Sequence, residues 1–175
     1  MSAIDEPKTE HAKLARKVVE SYVRGGDVPD VSDAPLELKD KRAGVFVCLK
    51  KDGELRGCIG TIQPVNASIA EEIRDNAISS ATSDFRFAPV STGELDGLTY
   101  SVDVLGEAED IDDMSSLDPK TYGVIVRSGR KAGLLLPDLE GVDTADEQVR
   151  IAMMKAGINR GEPVRLQRFK VTRHE

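Results

Sequence analysis

At 175 residues the chain is long enough for one domain, or for two small lobes sharing one core. Its 24 Lys and Arg against 31 Asp and Glu give a formal net charge of -7, which repels phosphate backbones, so general nucleic-acid or anionic-membrane binding is disfavoured. No apolar run near the start has the form of a signal peptide, and none approaches the length of a spanning helix, so a cytoplasmic protein without membrane attachment is expected. The two cysteines, Cys48 and Cys58, are then expected as free thiols. The two histidines, His11 and His174, stand near the two ends and read as surface residues. Imidazole-based triads and His-ligated metals need several such groups on one rigid scaffold, so no metal site and no cofactor are expected.

From Glu10 to Arg24, Leu14, Val18 and Tyr22 recur every four residues with Ala15 and Val19 beside them. That is one apolar helical stripe, stopped by Gly25-Gly26. The stretch from Asp27 to Lys41, with Pro29 and Pro35, reads as an irregular surface crossing.

Gly44 to Thr61 has the pattern of a hairpin around Asp52-Gly53. With a simple two-residue turn, Lys51 faces Glu54, Leu49 faces Arg56, Cys48 faces Gly57 and Val47 faces Cys58. The thiols would then point to opposite faces, which excludes a disulfide in that register. A G1 bulge at the turn would shift the pairing by one and spoil this argument.

Asn66 is the expected N-cap of a helix through Ala81 that buries Ile69, Ile73, Ala77 and Ala81. Leu98 to Ala108 alternates as a strand, and the acidic run Glu107, Glu109, Asp110, Asp112, Asp113 reads as a solvated connector. Gly123 to Pro137 is a second hairpin with Ser128-Gly129 at its turn. Its basic tip, Arg127, Arg130 and Lys131, reads first as a solvated tip that keeps an edge strand soluble, and second as a dock for an acidic partner or phosphorylated ligand. Thr144 and Glu147 form a capping box for a helix that buries Val149, Ala152, Met153 and Ala156 and ends at Gly157, and Leu166 to Thr172 is a last strand. Helices mixed with antiparallel hairpins in this order give an α+β fold.

The segments Leu55-Arg56-Gly57-Cys58-Ile59-Gly60-Thr61, Asp84-Phe85-Arg86-Phe87-Ala88-Pro89-Val90, Gly123-Val124-Ile125-Val126-Arg127, Gly133-Leu134-Leu135-Leu136-Pro137 and Lys155-Ala156-Gly157 together resemble the AMMECR domain family, protein A of the AmmeMemoRadiSam system. The resemblance runs from about Lys13 to the end of the sequence. Phe85 departs from it, since the family usually has proline after the aspartate. The resemblance implies a single two-lobed α+β domain with an antiparallel sheet and flanking helices in each lobe. The larger lobe would comprise residues 1–108 plus 161–175, the smaller 109–160, with the LRGCIG hexamer pointing towards the cleft between them. It also implies genomic association with Memo-like and radical-SAM proteins, the expected partners, but no reaction.

The cleft-binding residues expected on these grounds are Leu55, Arg56, Gly57, Cys58, Ile59, Gly60 and Thr61 with Asp84, Arg86 and Phe87. Glycines inside a strand mark a bulge or a close approach of another backbone or a ligand. Arg56 is either a fork for a carboxylate or phosphate or the partner of one of the chain's many carboxylates. Asp84 is a candidate partner for Arg56 or Arg86. Cys58 is either a nucleophile whose thiolate Arg56 stabilises or a small buried hydrophobe, the second favoured because no histidine base is near in sequence. The expected function is binding of a protein or modified polypeptide. The alternative is an enzyme that uses Cys58, with Arg56 as electrostatic stabiliser.

Overall fold

Two hairpins, each backed by one long helix, organise the chain in the structure, a computed structural model that describes residues 5–175. The stripe that starts it folds as α1 (Glu10–Gly25), capped by the Thr9 hydroxyl and closed by Gly26 in a left-handed conformation. It buries Leu14, Ala15, Val18 and Val19. The crossing that follows is not wholly irregular, because Leu36–Lys39 makes one helical turn (α2) that buries Leu38.

The first hairpin is β1 (Val45–Lys51) and β2 (Glu54–Gly60), turned through Asp52 and Gly53, both with positive φ. Then come α3 (Ile69–Thr82), a 3-10 turn over Thr92–Gly97 and β3 (Leu98–Leu105). The cap of α3 is Ser68, whose hydroxyl accepts from the Glu71 N–H, not Asn66 as expected. Ile69, Ile73, Ala77 and Ala81 are buried as the spacing requires.

The second half opens with a finding the charges concealed, because Glu109–Ile111 of the acidic run is a strand (β4) and not a solvated connector. Glu109 and Asp110 pair with Arg168 and Arg165 of the neighbouring strand, at 3.0 and 2.7 Å, so their charges face partners across the sheet. After a short 3-10 turn come β5 (Gly123–Ser128) and β6 (Lys131–Leu135), which turn on Gly129-Arg130, one residue later than expected. There follow α4 (Ala145–Ala156), capped by Thr144 and ended by left-handed Gly157, and two strands, β7 (Arg165–Phe169) and β8 (Val171–His174), where one was expected.

The two four-stranded sheets have the orders β2-β1-β3-β8 and β4-β7-β5-β6, and the fold is mixed α+β. The residues divide into two compact units, one running up to Val104 with Arg173–Glu175, the other Leu105–Thr172. Each has its own apolar core. In the first unit the core lies between the sheet and α1 and α3, and includes Val18, Val45, Val47, Ile73, Ala77 and Val102. His11 of α1 stacks on His174 of β8, centroids 3.6 Å apart, and both are partly buried where surface residues were expected. Burial and the neighbouring His174 hold His11 down to about 4. No helix among the described residues is long and apolar enough to cross a membrane.

At Gly57 the backbone of α3 lies directly against β2. A Cβ there would lie 2.2 Å from the carbonyl oxygen of Ser80, a helix backbone atom that cannot rotate aside. Gly133 does the same in the second unit, where a Cβ would lie 2.1 Å from the Ala152 carbonyl. Replacing Gly57 by alanine must push α3 off the sheet, and the expected loss is about 1–3 kcal/mol by analogy with overpacked cores. Denaturant unfolding of Gly57→Ala checks it, and unchanged stability would mean that the helix and strand do not need this approach.

Candidate functional site

The hexamer forms the edge strand β2, and its register is set by one extra residue. Lys51 faces Glu54 and Lys50 faces Leu55 as a two-residue turn requires, but the pairing then slips, so that Leu49 faces Gly57, Cys48 faces Cys58 and Val47 faces Ile59. Arg56 is left unpaired in the ladder as a bulge residue. The slip turns Gly57 inward against α3 and sets the two cysteines side by side. They are joined as a disulfide, which corrects the expectation of free thiols and of sulfurs on opposite faces.

The strand is held from behind by a stripe of buried polar residues on α3. Glu72, Asn76 and Ser80 recur every four residues, and Asp84 continues the spacing just past the helix end. Each makes contacts with the hairpin or the chain just beyond it. The Glu72 carboxylate, fully buried, accepts from the Thr61 hydroxyl at 2.8 Å, the Asn66 N–H at 2.6 Å and the Val65 N–H. The Asn76 amide donates to the Val45 carbonyl at 3.1 Å, and to the Thr61 hydroxyl at 3.4 Å. The Ser80 hydroxyl accepts from the Ile59 N–H at 2.9 Å and donates to the Val47 carbonyl at 2.7 Å, so it stands as a bridge between two facing strand residues. Asp84 accepts from the Cys58 N–H at 3.0 Å. Burying these groups without such partners would be costly, and here all four have them.

Asp84 also organises the turn that follows. Its two oxygens accept from the Arg86 backbone N–H at 3.1 Å and from the Arg86 guanidinium at 3.0 and 2.7 Å. The Phe87 N–H donates to the Asp84 carbonyl at 3.0 Å, which closes a four-residue turn with Phe85 at its second position. Proline is favoured at that position because its fixed φ suits it, and here phenylalanine occupies it. Arg86 reaches the Cys58 carbonyl at 3.4 Å. Thus Asp84 and Arg86 grip both backbone groups of Cys58, and Arg86, rather than Arg56, is the partner of Asp84.

Arg56 has a carboxylate partner far along the chain. Its Nε and Nη2 donate to the two oxygens of Glu94 at 2.9 and 3.1 Å, a two-point fork. Glu94 also accepts from the Ser91 N–H at 2.9 Å and lies 3.4 Å from Lys51. The Ser91-x-x-Glu94 spacing is a capping-box signature, the one cue that could have marked Glu94 as structurally engaged. Phe87 lies by both cations, its ring centroid 5.9 Å from the Arg56 and 5.5 Å from the Arg86 guanidinium carbon. The structure therefore brings Arg56, Cys58, Asp84, Arg86 and Phe87 together. Gly57, Ile59 and Thr61 serve the contact with α3, Gly60 packs on the Phe46 ring, and Leu55 faces solvent.

Arg86, with the Cys58 N–H, holds the Asp84 carboxyl well below the usual carboxylate range. Arg56, with the Ser91 N–H, lowers Glu94 to about 2. Both carboxylates favour the ionised form more in the folded than in the unfolded state. Their contribution is complete above the unfolded value of about 4 and is lost as pH falls through the folded one. Glu94→Gln should be less stable than wild type at neutral pH and lose less stability between about pH 5 and pH 2, the window this linkage defines. Chemical denaturation at a series of pH values reads this, and parallel acid limbs for the two proteins would contradict it.

Residues 12–174 match the model of the AMMECR1 family. The chain is 54% identical over 169 residues to a protein of Thermotoga maritima, covering 94% of this chain and 97% of that one. It is 49% identical over 172 residues to a protein of Clostridium acetobutylicum, covering 97% of this chain but 36% of that one, so it spans about a third of the clostridial protein. An uncharacterised protein of Pyrococcus horikoshii, solved by crystallography, superposes with a TM-score of 0.82 at 31% identity, over 93% of this chain and 88% of that one. A family match over nearly every residue, relatives at this identity and a shared fold agree: the chain belongs to the AMMECR1 family.

Proposed function

We propose that the surface formed by β2 and the Asp84–Phe87 turn recognises a protein or modified polypeptide, in the cytoplasm and in concert with Memo-like and radical-SAM proteins. The observation that carries this reading is Phe85, 97% exposed at the crest of a turn whose backbone Asp84 fixes. A large aromatic held in solvent on a rigid turn is an unusual use of apolar area, and aromatic side chains beside arginines are the residues that dominate binding energy in protein interfaces. Leu55, 40% exposed, adds apolar area from the hexamer, and the half-exposed Arg86 supplies a charge. A preformed turn also avoids the ordering cost that a flexible loop would incur on binding.

The enzymatic alternative has less support. The sulfur it requires is bonded to Cys48, and the cation it requires is forked by Glu94. Recognition needs neither group to be free.

Phe85→Ala separates binding from folding, because the ring touches solvent rather than the core. The purified Memo-like and radical-SAM proteins of the source organism should be titrated against wild type and variant by calorimetry. Binding by wild type, weakened by about 2 kcal/mol or more in the variant as for interface hot spots, with an unchanged melting temperature, is expected. Equal affinities for the two proteins, or no binding of either partner by wild type, would overturn the reading.

A further inference from the structure

The disulfide lies on the sheet face opposite the core. Along β1, Val45, Val47 and Leu49 are buried inward while Phe46 and Cys48 alternate outward and are only partly buried. Cys58, facing Cys48 across the bulge-shifted ladder, shares that outer face. Cys48 also lines a cavity of about 230 Å³, walled by Lys8 and Glu6 before α1, Lys50 of β1, Thr99 and Ser101 of β3, and Glu175. The bond between the sulfurs is therefore not sealed in the core, and Cys48 borders a cavity from which a thiol can approach it.

We propose that Cys48–Cys58 is a thiol–disulfide exchange site whose co-reactant is a small zwitterionic thiol entering this cavity. The cavity is below the range of about 300–1,000 Å³ that holds drug-sized ligands, which suits a small compound. Its two lysines, Lys8 and Lys50, and its three carboxylate residues, Asp5, Glu6 and Glu175, are complementary to a molecule that carries both a carboxylate and an ammonium group. The ligand's thiolate attacks the Cys48 sulfur in line with the disulfide. A ligand–Cys48 disulfide forms as the Cys48–Cys58 bond breaks, and the electron pair leaves with the Cys58 sulfur, which takes up a proton. A second thiol then attacks the ligand's sulfur, releasing the Cys48 thiol and the oxidised, disulfide-linked ligand. Two thiols are oxidised and one protein disulfide is reduced.

The bond is not the hairpin's only support. Ser80 bridges Ile59 to Val47, and Asp84 and Arg86 hold the Cys58 backbone, through hydrogen bonds that do not involve the sulfurs. Exchange can thus run in the folded protein and reverse, because the reduced thiols stay opposite each other. Its result is to expose or withdraw the Cys58 thiol within the hexamer. The exchange shares β2 with the recognition surface but does not use the Phe85 ring, and either proposal can hold if the other fails.

The test uses the full chain, folded, purified in air without reductant, with intact-mass readout after iodoacetamide. Wild type should take no alkyl group, take two after millimolar reduced glutathione at neutral pH, and return to none after oxidised glutathione. With oxidised glutathione, Cys58→Ser should acquire one glutathione on Cys48 at least tenfold faster than Cys48→Ser acquires one on Cys58, and Lys50→Ala in the Cys58→Ser background should slow the first reaction several-fold. Two alkylatable thiols that persist in wild type after oxidised glutathione would overturn the proposal. So would a bond that yields to glutathione only after denaturation, or equal rates for the two single-cysteine proteins.

Discussion

The arrangement of the first unit depends on four polar side chains placed every four residues along one line of α3 and past its end. Glu72, Asn76, Ser80 and Asp84 are all buried, and each engages the β1–β2 hairpin or the chain just beyond it. Apolar packing alone tolerates sliding, since Ile69, Ile73 and Ala77 would pack against a shifted sheet nearly as well. Hydrogen bonds to successive parts of a hairpin do not, because a one-residue slip leaves buried polar groups without partners. The stripe therefore fixes the register of the hexamer relative to the helix, and Gly57 permits the close approach that brings the bonds within reach.

From that constraint the candidate surface follows. Asp84, the last member of the stripe, is at once the acceptor for the Cys58 N–H and the organiser of the turn that presents Phe85. Arg56, expelled from the ladder by the bulge, swings to Glu94, so a second ion pair braces the other side of β2. The second unit repeats the hairpin-on-helix theme with its own glycine at Ala152, but there the only buried polar residue on the helix is Gln148, whose amide reaches the Tyr122 carbonyl at 2.8 Å. The denser polar network belongs to the unit that carries the hexamer.

Much of this was readable from residue order. The apolar stripes of α1, α3 and α4, the Asp52-Gly53 turn and the Thr144 cap each rest on local chemistry that a few residues specify. The site residues were singled out on glycine usage and family resemblance, and the structure gathers five of them. What was not readable depends on long-range pairing. A bulge is decided by how a whole strand meets its helix, so the slip at Arg56, and with it the meeting of Cys48 and Cys58, left no mark in the turn sequence. The acidic run became β4 because arginines more than fifty residues later lie across from it. The polar stripe did leave a mark, a four-residue spacing interleaved with the apolar one, but on an amphipathic helix such residues read as the solvated face until a second layer is known to cover them.

Amide hydrogen exchange at Cys58 and Ile59 tests the stripe most directly, compared between wild type, Ser80→Ala and Asp84→Ala. If the stripe holds the hexamer, the Ile59 amide loses most of its protection in Ser80→Ala and the Cys58 amide in Asp84→Ala, while β3 and the second unit's β5 exchange as in wild type. Unchanged protection of Cys58 and Ile59 in both variants would contradict it, and would mean that the strand is positioned by its ladder and apolar packing alone.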